Sequence, residues 1–438
     1  MRVGVIGTGH VGLVTAATLA SFGHAVAAVD ADAEKIDMLR RGEPPFFEPD
    51  LAELVAEQVS AGRLHFEHES AQVFAGAEVV VICVGTPANP DGETNLAAVE
   101  RAALDIARDA DDGTVVVGKS TVPAGTAERI RATFDRVRPD AGFHIVSNPE
   151  FLREGTGVRD SLEPDRLLIG SDDAEGFEAM RRLYGPLLER GVRLIETDVA
   201  TAELSKHASN AFLALKISYA NALARICELV GADVDAVTEV MGADPRIGAA
   251  FLGAGLGYGG YCFPKDVAAF ERLAERLGYP FPILAEVARI NDEAVLRVVE
   301  HLRDEIGHLS GARVAILGLS FKPETDDIRL SPALALAGRL IELGVEVVGF
   351  DPRAGANAKA EVPELRVVAD PYDAAEGASA VVLATDWAEF RELDAARLRT
   401  SVAFPLFVDA RNAMDGDALV RAGFAYVPVG RPPLRPVA

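Results

Sequence analysis

The chain has 438 residues, 49% hydrophobic and 25% charged, the balance of an ordinary globular protein with room for two or three sizeable cores. Its formal net charge of -24 argues against nucleic acid or an anionic membrane as partner, and no apolar run reaches membrane-spanning length. Cys83, Cys227 and Cys262 are too few and too scattered for a disulfide framework or a metal cluster, and Met1-Arg2-Val3-Gly4-Val5 enters a strand without a signal-peptide layout, so a cytoplasmic protein without metal is expected.

In chain order, strands are predicted over Val3 to Ile6, Ala25 to Val29, Val79 to Val84, Val115 to Gly118, His144 to Val146 and Arg166 to Ile169, with a helix over 10–22. Strands alternating with helices specify a doubly wound, mostly parallel sheet. From Thr201 to about Val230 runs an Ala/Leu-rich helix without Pro or Gly, followed by helix to Met241. Such a helix is either a connector with an oligomer surface or a buried core element.

The α/β pattern restarts at Gly311. Residues 312–318 read as a strand, Pro332 to Leu343 as a helix, and Val345 to Phe350, Val381 to Ala384 and Leu406 to Val408 as further strands. The predicted fold is therefore α/β: two Rossmann-like, doubly wound parallel-sheet domains, 1–200 and 301–438, joined by a long central helix and a helical dimerisation region, 201–300. The Pro-rich tail Gly430 to Pro436 is expected to be poorly ordered.

Gly7-Thr8-Gly9-His10-Val11-Gly12 sits between a strand and a helix, and Asp30 ends the next strand. In that setting the glycines make a dinucleotide turn that brings pyrophosphate to a helix N-terminus. An acid at Asp30 binds ribose hydroxyls and repels a 2′-phosphate, so NAD is the expected cofactor. Thr86, in Val84-Gly85-Thr86-Pro87, and Lys119-Ser120-Thr121-Val122-Pro123 follow strands at the same carboxyl edge, where cofactor or substrate contact is as reasonable as plain loop structure. Glu150 and Glu154, in Asn148 to Gly155, are candidates for a general base and a cofactor contact; taken alone they read as solvated charges.

Lys206 and Asn210 lie one helical turn apart in an otherwise apolar helix, where an unpaired lysine is costly. Together they can donate to an oxyanion. Gly257-Tyr258-Gly259-Gly260-Tyr261-Cys262-Phe263-Pro264-Lys265-Asp266 carries the remaining cysteine. Pro264 suits the first position of a helix, so the helix is expected to begin there, with Cys262 just ahead of it in a field that favours a thiolate. The glycines are expected to let backbone approach a ligand. Lys322 and Arg329 are anion contacts at a strand end of the second α/β unit, with Asp326 and Asp327 positioning the loop or the arginine.

These motifs, in this order and over essentially the whole chain, resemble the UDP-glucose/GDP-mannose dehydrogenase family. The resemblance implies two successive NAD-dependent oxidations of a sugar C6 alcohol to a carboxylate. It implies that Cys262 forms a thiohemiacetal and then a thioester, and that Lys206 and Asn210 stabilise oxyanions. It further implies that Asp266 with an ordered water assists proton transfer, and that Glu150 assists hydrolysis with Thr121 holding water. Gly7, Gly9, Val11, Gly12, Asp30, Lys35, Thr86, Thr121, Glu154, Lys265 and Arg329 match cofactor positions.

Glu150, Phe151, Leu152, Arg153, Glu154, Lys206, Asn210, Phe251, Leu252, Gly253, Ala254, Gly255, Gly259 and Lys322 match substrate positions. Arg246 is similar to an arginine that reaches a neighbouring subunit's site, which implies a homodimer or larger homo-oligomer. Pro164 to Gly170 and Gly257 to Gly260 favour UDP-glucose over GDP-mannose or another nucleotide sugar. A single-step hydroxyacid-type dehydrogenase and a non-catalytic sensor are the rival readings. Asp50, where the family often has glycine, Thr94-Asn95-Leu96, and Leu330, where an acid is common, are departures.

Overall fold

A computed structural model describes residues 1–437. The chain divides into two compact units, Met1–Ser209 and Asn210–Ala438.

The first unit is built on eight strands: β1 Arg2–Ile6, β2 Ala25–Val29, β3 Leu64–Glu67, β4 Val79–Ile82, β5 Val115–Gly118, β6 His144–Ser147, β7 Leu167–Ser171 and β8 Leu194–Thr197. Their order is β3-β2-β1-β4-β5-β6-β7-β8, parallel except where β7 runs antiparallel to β6. Central strands buried on both faces need apolar residues at every position, which is why β4 and β5 are near-continuous valine. Val79, Val81, Val115 and Val117 enter one core layer, Val80, Ile82 and Val116 the other. Register aligns Ile6 with Val29 and Ile82, Ile82 with Gly118, and Gly118 with Ser147. Every motif of the N-terminal half thus leaves the sheet along one carboxyl edge.

The second unit repeats the plan with β9 Arg313–Leu317, β10 Glu346–Phe350, β11 Arg366–Val367, β12 Ala380–Leu383, β13 Leu406–Asp409 and β14 Ala425–Pro428. The order β11-β10-β9-β12-β13-β14, all parallel, equals that of the first six strands. Valine and leucine alternate between its two core layers in the same way. β3, β8, β11 and β14 were not predicted.

The helix Val199–Val230 runs unbroken for 32 residues. Its C-terminal part sets Ala220, Ala224 and Cys227 into the second unit's core with Val298 and Leu302 of the helix Pro282–Ile306. Cys83 and Cys227 are both buried, and burial pushes the Cys83 thiol up to about 12. No helix among the described residues is long and apolar enough to cross a membrane.

The tail corrects the expectation of disorder. Leu434 exchanges backbone hydrogen bonds with Tyr426, Arg435 pairs with Glu305, and Arg431 with Asp233 and Asp235. Gly430 donates its N–H to the Glu228 carboxylate at 3.0 Å, and Glu228 also holds His301 and Arg297. Prolines that cannot extend a sheet are compatible with a strap whose order comes from ion pairs. Two of the sequence departures, Asp50 (φ 64°) and Leu330 (φ 50°), lie in the left-handed region.

Candidate active site

The site residues of the first unit start at the glycine turn. Gly7 has φ +93°, and at Gly12 any Cβ would sit 1.9 Å from the Gly7 carbonyl oxygen. Space around Gly9 is open, with no atom within 4 Å of where a Cβ would stand. Behind the turn the helix His10–Ser21 begins, with Val11 half-buried in its first turn.

Asp30 Oδ2 accepts from the Thr8 N–H (2.7 Å), the Thr8 hydroxyl (2.9 Å) and Lys35 Nζ (3.1 Å). Among the described residues, Oδ1 accepts only from Asp32 N–H, at 3.1 Å. Burial alone raises this carboxyl, but the Thr8 and Asp32 N–H groups and Lys35 hold it below the usual range. An anionic Asp30 with one oxygen still able to accept fits a ribose diol and rejects a 2′-phosphate. These residues fit NAD: the turn for its pyrophosphate, Asp30 for its ribose.

Further along the same edge, the Thr86 hydroxyl donates to the Thr121 carbonyl at 2.9 Å, joining the loops after β4 and β5. Glu150 departs from the solvated-charge reading. It is 7% exposed, its Oε1 meets Lys206 Nζ at 3.0 Å, and its Oε2 accepts the Leu152 N–H at 2.8 Å. Lys206 is also buried and lies 5.3 Å from the centre of the Phe151 ring, whose face Arg166 covers. Two candidates 56 positions apart are thus one buried ion pair. Arg153 is bound by Asp160, and Glu154 is half-buried on the same loop.

Two supports of this loop system, Glu48 and Glu203, escaped the sequence reading. Buried Glu48 accepts the N–H groups of Gly155 and Gly157, both at 2.7 Å; its partners are too far along the chain to leave a local signal. Glu203 accepts from Gly125 N–H (2.7 Å) and Ala127 N–H (2.9 Å), capping the helix Thr126–Val137 just beyond Thr121. Burial drives its carboxyl up to about 7 despite those bonds. An acid three positions before Lys206 in an apolar helix was the available clue. Lys119 donates to Asn148 Oδ1 and to the Tyr184 hydroxyl.

In the second unit the helix Cys262–Arg276 starts two residues earlier than predicted, at Cys262 itself, with Tyr261 as its cap residue. Pro264 is its third residue, still among the positions whose N–H has no partner within the helix. Half-buried Cys262 therefore stands in the first turn, where positive backbone dipole is greatest, and Asp266 follows one turn later on the same face. The fully buried Asp266 carboxylate accepts from Asn210 Nδ2 at 2.6 Å and from Lys265 Nζ at 2.5 Å. Arg329 is clamped by Asp327 and lies 4.5 Å from the Tyr261 ring centre, as the positioning role for Asp327 requires. Lys322 is half-buried beside Phe321.

In the run Gly257 to Asp266 the glycines are needed against the protein's own groups: a Cβ at Gly257 would meet the Asn291 side chain at 2.7 Å, at Gly259 the Leu330 oxygen at 2.2 Å, and at Gly260 the Phe321 ring at 2.7 Å. Of the two glycines just ahead of the run, Gly255 is crowded by the Ala410 oxygen at 2.6 Å and Gly253 meets no atom within 4 Å. Arg411, also missed, ties the run down by donating to the Gly257, Ala384 and Phe321 carbonyls. Leu252 and Ala254 are buried beside it, and Phe251 has φ +65°. The Arg246 side chain is 87% exposed and held by Asp244.

Three family models match in order. They are the UDP-glucose/GDP-mannose dehydrogenase NAD-binding domain over residues 1–188, the central domain over 200–293 and the UDP-binding domain over 315–416. The chain is 43% identical to the UDP-glucose 6-dehydrogenase of Rhizobium meliloti over 99% of this chain and 100% of that one. It is 44% identical to the UDP-glucose 6-dehydrogenase of Pseudomonas aeruginosa, covering 99% and 98%. The solved UDP-glucose dehydrogenase of Pyrobaculum islandicum superposes with a TM-score of 0.92 at 36% identity, covering 98% of both chains.

Proposed function

The chain belongs to the UDP-glucose/GDP-mannose dehydrogenase family of NAD-dependent oxidoreductases, and from that premise we propose that it oxidises C6 of UDP-glucose to the carboxylate of UDP-glucuronate through a Cys262 thioester. The observation that carries the reading is Cys262 in the first turn of its helix, with buried Asp266 one turn away and hydrogen-bonded to Asn210. The relatives' common name supports UDP-glucose as the sugar nucleotide.

NAD bound on the Gly7–Gly12 turn would supply the hydride acceptor, one molecule for each of the two oxidations. A four-electron oxidation needs its aldehyde-level carbon retained between them. Cys262 Sγ does this by adding to the C6 carbonyl, giving a thiohemiacetal whose oxygen carries the negative charge. Lys206 and Asn210 are the donors to that oxygen. Loss of the second hydride leaves a thioester. Water then attacks the acyl carbon, a proton passes to a carboxylate, and the thiol of Cys262 departs. Glu150 is the carboxylate assigned to that water, with Thr121 orienting it, and Asp266 is assigned the proton at the thiol end. We also infer a homodimer resting on the helix Val199–Val230.

The test counts NADH formed per UDP-glucose consumed, with GDP-mannose in parallel. Two per sugar supports the proposal, and one would establish a single-step dehydrogenase. None with UDP-glucose but two with GDP-mannose would move the substrate within the family. Cys262→Ala is expected to abolish uronate formation and leave NAD binding unchanged; normal turnover would sink the thioester.

A further inference from the structure

The first unit contains a cavity of about 380 Å³ whose walls include the Asn148–Arg153 loop, Thr18 of the fingerprint helix, and Tyr184. At its base is Lys119, nine-tenths buried. Two of the three ammonium donors are used, on Asn148 Oδ1 (3.1 Å) and the Tyr184 hydroxyl (3.3 Å), and Tyr184 in turn donates to Asn148 at 2.6 Å. Both partners are neutral, and among the described residues no carboxylate reaches Lys119. A buried ammonium without a counter-charge is a costly feature unless an anion completes it.

A further observation points the same way. The Thr18 hydroxyl is buried on the cavity wall with no hydrogen-bond partner among the described residues. Of the lining carboxylates, Glu150 is paired with Lys206, Asp160 with Arg153 and Glu163 with Arg190.

We propose that this cavity is a binding site for a small tetrahedral dianion, a phosphate either free or carried on a compact metabolite. Lys119 Nζ supplies the deep contact, Thr18 a hydroxyl, and exposed Arg159 the charge at the solvent side. The site is separate from the glycine turn that takes the NAD pyrophosphate. Its wall is the loop that carries Glu150, so a bound anion would hold that loop through Asn148 and Lys119.

The test titrates inorganic phosphate calorimetrically into the full-length protein, with NAD and UDP saturating and ionic strength fixed with KCl. One phosphate site is expected, weakened about tenfold in Lys119→Met and a few-fold in Arg159→Ala and Thr18→Val. Glycerol phosphate binding more tightly than phosphate would assign a phosphorylated metabolite, and weaker binding the free anion. No heat beyond that of KCl, or phosphate affinity unchanged in all three variants, overturns the proposal. Arg159 and Thr18 decide the matter should Lys119→Met fail to fold.

Discussion

Lys206 and Glu150 meet at 3.0 Å where water scarcely reaches, so removing either one takes this ion pair from a buried charge. Removing one member of such a pair costs about 3–5 kcal/mol, whereas replacing both with neutral residues costs far less. Lys206→Met is therefore expected to lower Tm strongly, and Lys206→Met with Glu150→Gln to recover most of the loss. Turnover should stay near zero in both, because the oxyanion donor proposed above, Lys206, is gone in both. Recovery of turnover with stability would reduce the pair to a structural feature.

Glu203, one turn earlier in the same helix, gives a pH dependence. Its folded carboxyl titrates near 7 against an ordinary 4.5, so the folded state holds the proton more tightly than the unfolded chain does. The resulting stabilisation is complete below 4.5 and is lost as pH rises through 7. Glu203→Gln is expected to flatten the fall of Tm between pH 5 and pH 8 relative to wild type. Parallel curves for the two proteins would rule out the assignment.

At the scale of elements, the glycine run separates packing from ligand approach. Gly259→Ala would drive a methyl into the Leu330 carbonyl, and backbone cannot yield there cheaply. A loss of about 2 kcal/mol or more in denaturant unfolding is expected. Gly253→Ala meets nothing within 4 Å and should leave stability within about 0.5 kcal/mol. If Gly253 faces the sugar nucleotide, KM for UDP-glucose should rise in that variant with its stability intact; an unchanged KM removes Gly253 from the substrate positions.

The sequence displayed this run as a ligand loop because glycine permits close approach but does not say to what. Its neighbours Asn291 and Leu330 lie far away in the chain, so the cause became visible only in three dimensions. The central strands were legible from their unbroken valines. Arg366–Val367, with two residues, and Leu194–Thr197, a half-exposed edge, have no periodicity long enough to read. Pro264 misplaced a helix start by two residues because proline is tolerated throughout a first helical turn.

For the whole molecule, the motifs were legible because parallel register delivers each strand end to one sheet edge, whatever the chain length between them. What stayed hidden was pairing at long range, such as Glu48 with Gly155 and Asn210 with Asp266. Assembly is the level the single chain displays least, yet its surface carries a mark of it. Phe212, Tyr219 and Ile226 are spaced by seven along the helix Val199–Val230 and are 61%, 51% and 54% exposed. Side chains of this size in one stripe suit a second copy of the chain.

A dimer built there makes the inferred role of Arg246 testable by complementation. Cys262→Ala lacks the proposed nucleophile, and Arg246→Ala should fold because its side chain is 87% exposed. Each variant alone is expected to be inactive. If Arg246 serves the neighbouring subunit, a mixed dimer has one site with both residues replaced and one with both intact. Unfolding and refolding equal amounts together makes about half the dimers mixed, each with one good site of two, so about a quarter of wild-type activity should return. If Arg246 serves its own subunit, every site lacks one residue and nothing returns. Tyr219→Asp in both chains should abolish the recovery and halve the sedimenting mass, whereas recovery that survives this change would place the interface elsewhere.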